Sequence, residues 1–259
     1  MLVFFYINSD YQLDIEAIEK AIPPKTAAIL INSPNNPTGA VYTRESLERL
    51  VDLAVHHNFY IISDEVYEKL VYGDAKHVCI SSLSKEAYEH TIVINGMSKA
   101  FAMTGWRIGY SAAPADIAHG LKDIQGHTTS NGVTFIQWAA IAALENCDDD
   151  VAYMVEEYKK RRDYTFNRLT AMRGITCKNV DGAFYLLPDV SYYYGRTVNG
   201  KEIKDSFDFC SYILDEAHVA IVPGAAFNAP EGVRVAYTNS MDKIVEALDR
   251  MEKALAKIQ

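Results

Sequence analysis

The stretch Asn95-Gly-Met-Ser-Lys-Ala-Phe-Ala-Met-Thr-Gly-Trp-Arg-Ile-Gly109 joins two apolar runs, Thr91-Ile-Val-Ile94 before it and Ile108 to Ala112 after it. Both runs have the composition of buried strands. Lys99 and Arg107 therefore sit on a compact connection that also holds Gly96, Ser98, Ala100, Ala102 and Gly105. Small residues let the backbone approach something bulky and flat. A lone lysine here would be unremarkable, since most lysines keep their heads in water. A lysine and an arginine eight residues apart, entering and leaving a site between buried strands, suggest two tasks. The amine can form an imine with a carbonyl, and the guanidinium can hold a phosphate.

The rest of the composition narrows the setting. The chain has 259 residues, 49% hydrophobic and 23% charged, enough for one large α/β domain and a smaller one. A net charge of −9 argues against nucleic acid or an anionic membrane as the main partner. Cys79, Cys147, Cys177 and Cys210 are far apart and form no C-x-x-C, so neither a disulfide framework nor a zinc site is indicated. The seven histidines show no ligand spacing, and no metal is expected. Met1 to Ile7 is too short for a signal peptide and no later run is long enough to span a bilayer. A cytoplasmic protein is the expectation.

Outward from the central stretch, strand and helix signals alternate. Leu2 to Ile7 reads as a strand, and Asp14 as the N-cap of a helix carrying Ile15, Ile18 and Ile22, stopped by Pro23-Pro24. Thr26 to Ile31 is a continuous apolar run, as expected for a strand covered on both faces. It ends in the turn cluster Asn32-Ser-Pro-Asn-Asn-Pro-Thr-Gly39. An amphipathic helix over Arg44 to Asn58 and a strand over Phe59 to Ser63 follow, ending at Asp64-Glu-Val-Tyr67. Repeated strand–helix–strand units predict a mainly parallel sheet sandwiched by helices. Ligands of such sheets gather beyond the carboxyl ends of the strands, where Asn36, Asp64 and Lys99 all fall. Asn131 to Glu145 reads as a buried helix and Asp148 to Met172 as one long helix. Lys159-Lys-Arg-Arg162 within it is read as a solvated face. Beyond lie strands at Gly182 to Leu187, Val219 to Val222 and Val233 to Tyr237, and helices at Phe207 to His218 and from Met241. That is a smaller α+β unit. The expected division is 1–150 and 151–259.

Five motifs in this order resemble the class I aminotransferases of fold type I, closest to the aspartate/aromatic branch. They are Asn32 to Gly39, Ser63-Asp-Glu-Val-Tyr67, Gly96 to Gly109, Gly182-Ala-Phe-Tyr185, and Val222-Pro-Gly224 with Arg234. The resemblance implies pyridoxal 5′-phosphate (PLP) as cofactor and amino acid and 2-oxo acid substrates, with aspartate favoured and an aromatic amino acid second. It implies a homodimer, with residues 1–150 as the PLP-binding domain and 151–259 as the interdomain helix and small domain. Lys99 would form the Schiff base with the cofactor aldehyde and then carry a proton between Cα and C4′, the role of an amine that burial can keep neutral. Asp64 would pair with the pyridinium nitrogen. Tyr67 and Asn36 would hydrogen-bond the phenolic oxygen. Arg107, with the Ser98 region, would grip the phosphate, and Arg234 would take the substrate α-carboxylate through its fork.

Each residue also has a plainer structural role: a helix cap for Asp64, its own turn for Asn36, core packing for Tyr67 and Trp106, a surface ion pair for Arg234. Tyr192-Tyr-Tyr194 reads as packing and Asp148-Asp-Asp150 as a helix cap. Members of the resembled family carry well over a hundred residues ahead of the point matching Leu2, including a phosphate-binding glycine turn and an aromatic residue that stacks on the cofactor ring. The expectation is an N-terminally incomplete large domain. A non-catalytic remnant or subunit-interaction fragment, and a PLP-dependent C–S lyase on the same fold, are the alternatives.

Overall fold

The structure is a computed structural model that describes residues 7–259. The strand expected over Leu2 to Ile7 lies outside the described residues except for Ile7, which bridges Leu13. The chain divides into two compact units, one of residues 1–35 and 40–155, the other of 36–39 and 156–259.

In the first unit, Asp14 accepts from the Ala17 N–H and starts α1 (Ile15–Ala21), whose Ile15 and Ile18 are buried. Strand β1 (Ala28–Asn32) leads to α2 (Arg44–His57), capped by the Thr43 hydroxyl and ended by Asn58 in the left-handed conformation. Strand β2 (Tyr60–Asp64), α3 (Lys85–His90) and β3 (Thr91–Gly96) follow. Helix α4 (Met97–Ala100) then returns the chain to β4 (Gly109–Ala112). The sheet order is β1-β2-β3-β4, with β1, β2 and β3 parallel and β4 antiparallel. Apolar burial builds one face of this sheet: Ile29, Ile31 and Ile61 share a core with Leu47, Leu50, Val51 and Ala54 of α2.

The opposite face corrects the expectation for β1. Leu30 is 64% exposed, and Tyr60 and Ile94 are exposed beside it. Thus β1 alternates exposed and buried, the pattern of a strand covered on one face. Helix α5 (Ala115–Thr128), which sequence reading missed, buries none of its residues. Helix α6 (Thr134–Asn146) forms where expected but is mostly not buried: Ala140 and Ala143 are buried with Met97 and Met103, and Ala139 packs partly against them. An all-round apolar helix gives no phase to its sequence, so period alone could not say which side packs.

Helix α7 (Asp148–Ala171) runs from the first unit into the second, with the three aspartates in its first turn. Its basic cluster is not a solvated face throughout, because Arg162 is buried and pairs with Asp163 and Asp181 at 2.7 and 2.9 Å. Arg162 also donates to the Val180 carbonyl. The second unit holds β5 (Tyr185–Leu186), a hairpin of β6 (Thr197–Val198) and β7 (Lys201–Glu202), α8 (Ser206–Ala217), β8 (Val222–Pro223), β9 (Val233–Ala236) and α9 (Met241–Leu255). Strands β5, β9 and β8 form an antiparallel sheet in that order, with Val222 opposite Arg234. Tyr193 is buried against Phe209, as a packing residue.

Candidate active site

Two constellations hold the expected residues, one in each unit. In the first, Asp64 ends β2 and Gly96 ends β3, two neighbouring parallel strands, so Asp64 and Lys99 leave the same sheet end. Asp64 is half-buried, and its Oδ1 accepts from the Val66 N–H at 3.2 Å, which fixes the turn that follows. Burial is the main influence holding its carboxyl above the ordinary aspartate range; the nearby Glu65 charge adds to it and the Val66 N–H opposes it. Asp64 does stop its own turn, as a cap would, yet that bond occupies one oxygen only. Tyr67 is buried, and the Lys99 ammonium lies 5.9 Å from the centre of its ring. At that distance the ring's negative face attracts the cation.

Local geometry explains how Lys99 is presented. Gly96 and Gly109 face each other across β3 and β4, where a Cβ on Gly109 would meet the Asn95 carbonyl at 2.9 Å. The small-residue reading holds there, whereas Gly105 has open space around it. The Met97 N–H reaches the Ile108 carbonyl and the Thr104 hydroxyl reaches the Ser98 carbonyl at 2.9 Å, closing the loop on itself. Ser98 and Lys99 are half-buried in it. Arg107 is exposed with φ 55, and one of its nitrogens donates to the Thr104 carbonyl at 3.0 Å. A guanidinium has five N–H donors, so most of its capacity for an anion remains. Trp106 is 44% exposed and lines a cavity together with Phe101 and Met103.

The second constellation centres on Arg234. Its guanidinium carbon lies 4.7 Å from the Tyr185 ring centre and 4.9 Å from that of Phe227. One terminal nitrogen donates to the Asn36 side-chain oxygen at 2.8 Å, and the buried Nε has no hydrogen-bond partner. An arginine held by two rings and an amide oxygen is not a surface ion pair. Asn36 belongs to this unit because the 36–39 turn packs into it: a Cβ on Gly39 would collide with Val180, the Tyr185 carbonyl and the Gly182 carbonyl. Asn36 thus serves more than its own turn. Phe227 carried no sequence signal, and neither did Glu65 or His77, a buried pair beside Asp64. The charge directly after Asp64 was the one available hint.

The family model described as "Aminotransferase class I and II" matches residues 2–251. The aspartate aminotransferase of Bacillus sp. (strain YM-2) is 44% identical over 246 residues, covering 95% of this chain and 62% of the relative. The aromatic-amino-acid aminotransferase 2 of Thermococcus litoralis is 43% identical over 254 residues, covering 96% and 62%. Among solved structures, the aspartate aminotransferase from Rhizobium meliloti superposes with a TM-score of 0.92 at 36% identity, covering 96% of this chain and 63% of the other. The chain thus spans about 62% of the length of the curated relatives it matches.

Proposed function

Because the chain belongs to the class I and II aminotransferase family, we propose that it carries the chemistry of an aminotransferase that moves an amino group from an L-amino acid to a 2-oxo acid in two ping-pong halves. One observation carries this reading. Asp64, Tyr67 and Lys99 gather at the carboxyl ends of neighbouring parallel strands, with the lysine ammonium 5.9 Å from the tyrosine ring.

The residues fit PLP. A half-buried carboxylate of raised basicity suits a ring nitrogen, an amine suits an aldehyde, and an exposed guanidinium suits a phosphate. PLP supplies an electrophilic carbonyl and a ring that accepts carbanion charge. Lys99 would hold the group at its aldehyde carbon and would carry the proton at the substrate Cα. Asp64 would pair with the ring nitrogen and favour a proton there. Tyr67 and Asn36 donate toward the phenolic oxygen. Arg107 and the Ser98 region hold the phosphate. Arg234 binds the substrate carboxylate with the fork that Tyr185 and Phe227 hold flat. Aspartate is the proposed amino donor, supported by the names of the relatives. Residues 1–150 form the proposed cofactor domain, residues 151–259 the proposed interdomain helix and small domain, and a homodimer the proposed assembly.

The test is the absorption of the 259-residue chain after incubation with PLP and desalting, beside Lys99→Ala. A retained band that requires Lys99 and shifts on adding aspartate is expected. A band of equal strength in Lys99→Ala would sink the assignment of that lysine.

A further inference from the structure

Glu65 follows Asp64 directly and is 1% exposed, an unusual place for a carboxylate. Its backbone N–H reaches the Ile94 carbonyl of β3 at 2.9 Å, so the residue is pinned to the sheet. Its Oε1 accepts from the Ser63 hydroxyl at 2.9 Å and from the Ile80 N–H at 3.3 Å. Its Oε2 lies 2.9 Å from His77 Nε2. The His77 side chain is nearly buried, and its Nδ1 has no hydrogen-bond partner, so Glu65 is the partner that fixes the ring. Glu68 brings a third ligand-type atom within 4.8 Å of these two. Both Glu65 oxygens are engaged by donors of the chain itself, Oε1 by Ser63 and Ile80 and Oε2 by His77.

We propose that Glu65 and His77 are a buried positioning pair that fixes the turn carrying Asp64 and Tyr67 and tunes the negative charge available on Asp64. The proposal rests on the PLP reading of Asp64 and adds to it two residues that touch neither cofactor nor substrate. Burial is the largest influence on Glu65 and works against its charge, but the donors from His77, Cys79 and Ser63 outweigh it and hold the carboxyl below the usual range. A fixed anion one residue away makes Asp64 a stronger base, in line with the direction of its own shift. The His77 imidazole facing Glu65 draws on its charge and offsets part of that influence. The other titratable groups that feel this charge are Cys79 and Tyr110, and Glu68 acts on Tyr110 in the same direction.

The test is carbon NMR titration of the Asp64 carboxyl in the 259-residue chain, assigned with Asp64→Asn. Glu65→Gln removes the neighbouring anion and should lower the Asp64 midpoint. His77→Gln keeps an N–H donor toward Glu65 but carries no charge, and should move the midpoint the opposite way. Shifts of opposite sign support the pair, because a purely packing role predicts none. Midpoints that stay put, or move together, overturn it. If Glu65→Gln fails to fold, His77→Gln decides alone: a raised midpoint supports the pair and an unchanged one overturns it. The dissociation constant for PLP, measured by the change in its absorption, separates the two ideas. Weakening in Glu65→Gln of up to about tenfold per unit of lost basicity carries the pair through to the cofactor. Divergent midpoints with unchanged PLP affinity support the electrostatic pair and overturn the cofactor role of Asp64.

Discussion

At the residue scale the deciding feature is how each polar group is held before any ligand arrives. Arg234 is pre-arranged by Tyr185, Phe227 and Asn36, so its fork loses little freedom on meeting a carboxylate. Charge-assisted hydrogen bonds are worth about 1.5–3 kcal/mol, so Arg234→Ala should raise KM for every amino acid substrate by roughly 10- to 150-fold. Steady-state kinetics with aspartate and with an aromatic donor check this. An increase confined to aspartate would mean that Arg234 reads the side chain instead. Asp64 is argued from a different quantity, its raised basicity. Asp64→Glu keeps a carboxylate and Asp64→Ala does not, so Ala should weaken PLP retention by about tenfold or more beyond Glu. Equal retention in the two variants, measured after dialysis, would remove the ring-nitrogen role.

At the element scale, the 36–39 turn matters most. Gly39 has φ +75, and a Cβ there would come within 2.5 Å of Val180, 2.8 Å of the Tyr185 carbonyl and 2.9 Å of the Gly182 carbonyl. Two of these neighbours are backbone, so the turn must move to admit a methyl group. Gly39→Ala should therefore cost about 1–3 kcal/mol and pull Asn36, three residues earlier, away from Arg234. Gly105→Ala is the control, since nothing lies within 4 Å of its would-be Cβ. It should stay within about 0.5 kcal/mol. Thermal and denaturant unfolding of the two variants measure the difference, and equal midpoints would refute the close approach. Helix α4 is too short to be stable by itself. Its place is set by β3, by the Gly96–Gly109 contact and by the Thr104 hydroxyl on the Ser98 carbonyl.

At the scale of the whole molecule, the first unit leaves much apolar surface open. Phe135 and Trp138 on α6 are 67% and 68% exposed, and Ile141 continues the same stripe. Beside it, a cavity of about 670 Å³ is lined by Phe101, Met103, Trp106, Ala139 and Met154. Contiguous apolar surface of this kind drives association. The 259-residue chain should show a mass by light scattering that rises with concentration, and Phe135→Lys with Trp138→Lys should reduce it. A concentration-independent monomer would contradict both this and the proposed homodimer. Among the described residues no helix is long and apolar enough to cross a membrane.

The sequence by itself determined the main strand–helix alternation and the family, because those depend on local signals: Asp14 as a cap, the alternation of apolar runs, and five motifs in order. It also marked Asp64, Tyr67 and Lys99, since each follows a strand whose end is legible from composition. For Asp64 the sequence offers two readings, helix cap and charged partner, and the structure adds that it is half-buried and accepts from the Val66 N–H. Only the tertiary structure decided which faces are covered. Leu30 and Trp138 look like core residues in the sequence and are exposed, while Arg162 and Glu65 look solvated and are buried. The reason is physical: burial depends on what packs against a face, and charge is tolerated inside where partners such as Asp181 or His77 arrive from far along the chain. These partners stand 19 and 12 residues away, beyond the few residues that set a local cap or turn.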